Sequence, residues 1–282
     1  MPAVADVRPS PIAGTWYPGN PARLAQSIDA YIDQASLPEL PGRVVGVITP
    51  HAGHRYSGRT AGHAFRAVQG APWERVVVLS PYHNYTSAAL LTSAHRAYAT
   101  PLGGIPVDLE ALLELEDALH ARRGPRLTAV ANDPEHSLEI ELPFLQRALP
   151  GPFSLIPLMV RERDPEALQI LAGALAGVLK TRPALIVAST DLSHFYSQTE
   201  AEILDGEMMR QITEFSPDGA LETELEGRGF ACGVAAVAAA LWTAQQLGAD
   251  RVVALHHSTS AEETGDRSSV VGYGAAAILK TT

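Results

Sequence analysis

Three unbroken apolar runs of strand length constrain this chain most. They are Val44-Val45-Gly46-Val47-Ile48-Thr49, Arg75-Val76-Val77-Val78-Leu79-Ser80 and Ala184-Leu185-Ile186-Val187-Ala188-Ser189. A run without polar alternation suits a strand covered on both faces, as in a parallel sheet packed between helices. Helical patterns lie between such runs. Pro21 to Ala35 opens with Asn20 as N-cap and Pro21 in the first helical position. Ser57 to Val68, Asp108 to Leu119, Pro165 to Lys180, Ala201 to Phe215 and Cys232 to Leu247 follow the same period. Leu138 to Ala148 reads as a helix that Pro143 either kinks or begins. Ala89 to Ser93, Phe153 to Val160, Arg251 to His256 and Ser269 to Leu279 read as further strands, and Val7 to Asn20 as an extended arm. The alternation predicts an α/β chain: a single domain over residues 1–282 with a largely parallel central sheet flanked by helices. No repeat, low-complexity tract or long linker divides it.

Charge and cysteine content narrow the function classes. The net charge is −10 with histidine neutral. Phosphate backbones call for clustered Lys and Arg, so no nucleic-acid partner is expected. A single cysteine excludes an intrachain disulfide framework and suits a reducing compartment. Met1 to Thr15 lacks the basic start and apolar stretch of a signal peptide. The most apolar segment, Cys232 to Trp242, is too short to span a bilayer. The expectation is a cytoplasmic protein with no membrane association.

Chemistry-bearing residues sit where the runs end. His51 and His54 follow the first, His83 the second, and Asp191 and His194 the third; Cys232 stands before an apolar helix. Residues just past parallel strands converge on one rim, where open α/β sheets bind ligands. Imidazole, carboxylate and thiolate hold transition metals or move protons. If the first two strands are neighbours, about 5 Å apart, both imidazoles reach one ion. Asp191 and His194 face the same way if their turn is helical; otherwise Asp191 can serve as a helix N-cap. A helix N-terminus or a bound cation lowers a thiol pKa, so Cys232 is expected to be partly thiolate. His136 and Glu139 offer a base and a substrate anchor, although Glu135 to Glu141 reads equally as a solvated helix start. Trp16 can line a pocket or pack in the core, and Tyr56 is a candidate substrate contact. His256 and His257 read as structural.

Several ordered motifs then match a known family. Ala13-Gly14-Thr15-Trp16-Tyr17-Pro18, Pro50-His51-Ala52-Gly53, Ser80-Pro81-Tyr82-His83, Glu135-His136-Ser137-Leu138-Glu139, Ser189-Thr190-Asp191-Leu192-Ser193-His194, Ala231-Cys232-Gly233 and the closing Ser269-Val270-Val271-Gly272-Tyr273-Gly274-Ala275 resemble the Memo family almost end to end. Its prokaryotic branch is known as AmmeMemoRadiSam system protein B. The resemblance implies the fold of class III extradiol dioxygenases, which use non-haem iron. It implies His51, His83 and Cys232 as metal ligands, with iron as the cofactor and copper or zinc as alternatives. Asp191 and His194 match the remaining site residues, with acid–base roles. It also implies an AMMECR-type protein and a radical-SAM protein as partners. Cys232 stands where the dioxygenases carry a carboxylate, and soft sulfur suits copper, zinc or thiolate-bound iron better than catechol cleavage.

Three functions stay open on the sequence. The first is a metal-dependent redox enzyme of oxygenase type. The second is a Cys–His hydrolase, with Cys232 as nucleophile and His194 or His51 as base. The third is a non-catalytic accessory protein that binds a peptide, a protein or a small molecule in the same cleft.

Overall fold

The computed structural model describes residues 6–281; Met1 to Ala5 and Thr282 lie outside them. The arm begins with a two-residue strand, β1 (Val7–Arg8), and leads into α1 (Pro21–Gln34), whose first turn is capped by the Asn20 side chain accepting the Arg23 N–H. Then follow β2 (Arg43–Thr49), α2 (His54–Arg66), β3 (Arg75–Ser80) and β4 (Leu90–Ser93). A hairpin of β5 (Ala97–Thr100) and β6 (Gly103–Pro106) precedes α3 (Leu109–Ala121) and β7 (Leu127–Val130). A 3-10 turn, Glu139–Glu141, runs directly into α4 (Leu142–Ala148), and Pro143 falls in the first turn of that helix. Next come β8 (Ser154–Val160), α5 (Pro165–Thr181), β9 (Leu185–Ser189), β10 (His194–Tyr196), α6 (Gln198–Thr213) and α7 (Pro217–Leu225). The chain closes with α8 (Val234–Gln246), β11 (Arg251–Thr259), α9 (Ala261–Thr264) and β12 (Val270–Lys280).

The main sheet runs in the order β10-β12-β2-β9-β3-β8-β4-β7, with β11 paired along β12. Its four central strands, β2, β9, β3 and β8, are parallel. They contain the three apolar runs, whose residues are almost all fully buried. The flanks differ from the sequence expectation: β12 runs antiparallel to β2, β10 and β11, and β4 antiparallel to β8. The fold is therefore α/β with a mixed sheet whose centre is parallel. Pro157 is accommodated in β8 because pairing with β4 stops at Met159, and its carbonyl accepts the Thr92 hydroxyl. Helix α2 packs on β2, β11 and β12; α8 packs on β2, β9, β3 and β8 and carries α5. The apolar segment at Cys232 to Trp242 thus forms, from Val234 on, a buried core helix. No helix among the described residues is long and apolar enough to cross a membrane.

The arm is tied down by a second, three-stranded sheet, in which β1 pairs with β5 and β5 with β6. This places Arg8 in the interior, 1% exposed.

Candidate metal centre

Strand β9 lies between β2 and β3 rather than beside them both at an edge. The condition set for the first two apolar runs, that they be neighbours, is therefore not met. The C-terminal ends of all three still share one rim because the strands are parallel. From that rim the His51 and His83 rings meet edge-on at a centroid distance of 5.3 Å. His136, from the loop before the 3-10 turn, stacks on His83 at 4.8 Å and meets His51 edge-on at 5.5 Å. One ring nitrogen from each of the three lies within 4.8 Å of the others. Nitrogens bound to one ion at about 2.1 Å stand at most about 4.2 Å apart, so a small closure of the rings seats a metal.

Each imidazole is oriented from behind. His51 Nδ1 lies 3.0 Å from Ser189 Oγ. His83 Nδ1 lies 2.9 Å from Glu135 Oε1, and the His83 backbone N–H donates to the other oxygen of the same carboxylate at 2.6 Å. Glu135 also accepts the backbone N–H groups of His136 and Ser137, each at 3.0 Å. A carboxylate behind a ligating histidine fixes ring orientation and raises basicity. Burial lowers the His51 pKa well below its ordinary value, and the neighbouring His83 and His136 add to this. His136 is lowered by burial to about 4. His83 goes the other way: burial works against the charge, but the hydrogen bond and charge of Glu135 outweigh it and raise the pKa. Two neutral imidazoles and one backed by a carboxylate are a donor set that fits a transition metal.

Cys232 closes the third side. Its Sγ lies 3.1 Å from His51 Nε2 and accepts the Asp191 backbone N–H at 3.3 Å. The segment is locked to the end of β9. The Cys232 N–H donates to the Asp191 carbonyl at 3.2 Å, and the Gly233 N–H to Thr190 Oγ1 at 2.9 Å. Gly233 faces the Ser189 carbonyl oxygen so closely that a Cβ there would overlap it. In the metal-free chain the surroundings favour the thiol over the expected thiolate. Cys232 precedes the helix cap rather than sitting in the first turn of α8. Burial, reinforced by the nearby Asp191 carboxylate, pushes its thiol pKa up.

Asp191 and His194 do not share a helical turn. The chain runs irregularly from Thr190 to Ser193 and then enters β10. Asp191 instead accepts the backbone N–H groups of His51 and Ala52 at 2.8 and 3.2 Å, clamping the start of the β2–α2 loop. Burial nevertheless pushes its pKa up to about 7. His194 Nδ1 lies 2.9 Å from the Leu192 carbonyl, which only accepts, so Nδ1 carries the proton and Nε2 is left as a base. His194 is close enough to His83 for the two to influence each other's charge.

The expected substrate residues divide. Trp16 is partly exposed and its ring lies 4.1 Å from His136. Tyr56 lies on the exposed side of α2, with the Arg55 guanidinium 5.8 Å from its ring centroid. Glu139 is wholly buried and bound to Arg8, Ser10 and Tyr17. Nor is Glu135 to Glu141 a solvated helix start, since Glu135, Glu139 and Glu141 are all at most 1% exposed. His256 lies 3.0 Å from Thr60 and stacks on His63; His257 pairs with buried Asp205 at 2.8 Å.

The chain matches the family described as Memo-like protein over residues 8–277. It belongs to the Memo family. A MEMO1 family protein of Nitrosopumilus maritimus is 32% identical over 273 residues, covering 95% of this chain and 98% of the relative. One from Methanopyrus kandleri is 33% identical over 278 residues, covering 94% and 96%. Among solved structures, an uncharacterized protein, JW3007, from Escherichia coli K12 superposes with a TM-score of 0.51 at 12% identity, covering 83% of this chain and 99% of that one. That likeness speaks to the fold alone. In this Memo-family chain, sequence reasoning missed Glu135, Ser189, Glu141 and Arg8, the groups that hold the histidines and their loop. The available signal was three acids spaced among aliphatic residues in Glu135-His136-Ser137-Leu138-Glu139-Ile140-Glu141, a pattern unlike a solvated surface.

Proposed function

We propose that this Memo-family protein binds a redox-active metal at His51, His83 and Cys232 and works as an oxidoreductase of oxygenase type. Iron is the first choice and copper the redox-active alternative; zinc, which has no redox chemistry, fits the donor set but not the oxidoreductase role. The observation that supports this best is the convergence of the histidine ring nitrogens within 4.8 Å at the sheet rim, with Cys232 Sγ 3.1 Å from His51 Nε2. His136 is the further donor this geometry offers. A bound iron or copper ion supplies one-electron chemistry. The residues do the rest. Glu135 orients His83; Asp191, half-protonated near neutral pH, holds or releases a proton beside the His51 loop. His194 accepts a proton at Nε2. Trp16 and His136, whose rings lie 4.1 Å apart at a 35° tilt, offer an aromatic wall for a small molecule or a peptide side chain, and Tyr56 is a further candidate contact. Family membership alone supports action with an AMMECR-type and a radical-SAM protein.

The test is anaerobic loading with Fe(II), Cu(I) or Zn(II), followed by exposure to oxygen. The reading expects one equivalent of iron or copper and a spectral change on oxidation. Failure of both redox metals to bind, or binding with no redox response, contradicts it.

The Sγ–Nε2 distance also favours a second reading, the Cys–His hydrolase. The electrostatics oppose it: burial raises the thiol pKa and lowers that of His51, so the thiolate–imidazolium pair is disfavoured. Ester or thioester turnover by chelator-treated protein, abolished in Cys232→Ser, would establish it.

A further inference from the structure

Behind His51, one hydroxyl has three partners. Ser189 Oγ lies 3.0 Å from His51 Nδ1, 2.8 Å from the Ser137 carbonyl oxygen and 2.7 Å from Glu141 Oε1. A hydroxyl has one proton to give and two lone pairs to receive with. The Ser137 carbonyl can only accept, so it takes the Ser189 proton. The other two contacts are then hydrogen bonds only if both neighbours donate. His51 must carry its proton on Nδ1, and Glu141 Oε1 must carry one too.

We infer that Glu141 is held as a neutral carboxylic acid donating to Ser189 Oγ, and that Ser189, with its own proton committed to the Ser137 carbonyl, fixes His51 as the Nδ1–H tautomer with the Nε2 lone pair facing the site. Glu141 is thereby a positioning residue that never touches the ligand. Its surroundings agree. The residue is 1% exposed, and its other oxygen accepts the Thr49 hydroxyl at 3.3 Å. The charges around it favour the neutral form: burial raises its pKa, and nearby Asp191 adds to this against the hydrogen bonds from Ser189 and Thr49. An ionised Glu141 would leave two acceptors competing for one hydroxyl proton in a dry interior, which costs about 1–3 kcal/mol for the group left unpaired. The arrangement also fits Cys232: with a lone pair on His51 Nε2, the S–H at 3.1 Å has an acceptor.

Two spectroscopic readouts test the inference on metal-free protein, and neither needs activity. Nitrogen-15 NMR of histidine-labelled protein, with His51 assigned by its loss in His51→Gln, reports the tautomer. Infrared difference spectra between wild type and Glu141→Gln report whether position 141 carries a neutral acid carbonyl or a carboxylate. The inference expects the Nδ1–H tautomer and a neutral acid band at neutral pH. An Nε2–H tautomer or a carboxylate band overturns it.

The consequence for metal rests on the function proposed above. Glu141→Gln keeps a donor to Ser189 and holds metal like wild type, whereas Glu141→Leu loses about 10–100-fold in metal affinity, the range for partners behind a ligand. If Glu141→Leu does not fold, Ser189→Ala reads the same link and is expected to show the same loss. Equal metal affinity in wild type and the folded variant overturns the positioning role. If wild type itself takes up no metal, the metal reading fails, while the tautomer and the acid band still decide this inference.

Discussion

Cys232 Sγ and His51 Nε2 face each other at 3.1 Å across the rim, one from the loop before α8 and one from the loop after β2. The pair is neutral in the metal-free chain, because burial raises the thiol pKa and lowers that of the imidazole. Alkylation of Cys232 by iodoacetamide in metal-free protein is therefore expected to be at least about tenfold slower at pH 7 than alkylation of free cysteine. The rate should still be climbing at pH 9, where a free thiol approaches its plateau. A rate equal to free cysteine, or a plateau near pH 7, contradicts this account of the pair.

His54 gives a pH signature distinct from the metal site. Its ring is packed between Tyr17 and Phe144, Nε2 lies 3.2 Å from the Ile140 carbonyl, and Nδ1 is buried with no partner among the described residues. Burial lowers its pKa from 6.5 to about 4. Below pH 6.5 the unfolded chain takes up a proton that the folded chain refuses, so this histidine costs stability as pH falls toward 4. The loss reaches about 3 kcal/mol at pH 4. Denaturant titrations of wild type and His54→Gln should show a constant difference above pH 7, moving in favour of the variant by about that amount at pH 4. Parallel pH profiles would show that His54 is not buried in neutral form.

Arg8 locks the loop that carries Glu135 and His136. Its guanidinium donates to the Asp133 carboxylate, to the Asp133 and Glu135 carbonyls and to Glu139. Arg8→Met leaves two acids buried without their cation and is expected to cost about 3–5 kcal/mol in unfolding free energy. Arg8→Lys should recover only part of this, since a point charge cannot span the fork of acceptors. A loss under about 1 kcal/mol for Arg8→Met would show that the cluster is not a clamp.

Gly233 is required by close approach rather than by turn conformation. Gly233→Ala drives a Cβ into the Ser189 carbonyl oxygen and the Thr190 side chain, so Cys232 must move away from His51. The expected result is about 1–3 kcal/mol of lost stability and a broken Sγ–Nε2 contact. Unchanged denaturation together with unchanged Cys232 alkylation kinetics contradicts it.

The parallel centre of the sheet was legible because unbroken aliphatic runs have few alternatives to a doubly covered strand. A helix start was legible where a cap marked it, as at Asn20-Pro21. The antiparallel direction of β12, and the place of β9 between β2 and β3, were not, because direction and order depend on long-range pairing that leaves no local trace. The short β10 and the β5–β6 hairpin escaped for want of a repeated period. That His51, His83, Asp191 and Cys232 meet at one rim was legible because each sits at a strand end or just before a helix. Glu135, Ser189, Glu141 and Arg8 were not, because a buried acid or arginine is defined by its partners, and these lie up to 131 residues away in sequence.

The central claim is that His51, His83 and Cys232 hold a metal, and the most direct test is metal content. Wild type and the variants His51→Ala, His83→Ala, Cys232→Ser and His136→Ala would be purified anaerobically, loaded with Fe(II), desalted and measured by elemental analysis. The account predicts about one equivalent in wild type and loss of most of it in the His51, His83 and Cys232 variants. The His136 variant shows whether the neighbouring imidazole also binds. Full retention of iron by His51→Ala, His83→Ala and Cys232→Ser, each shown to be folded, would contradict it.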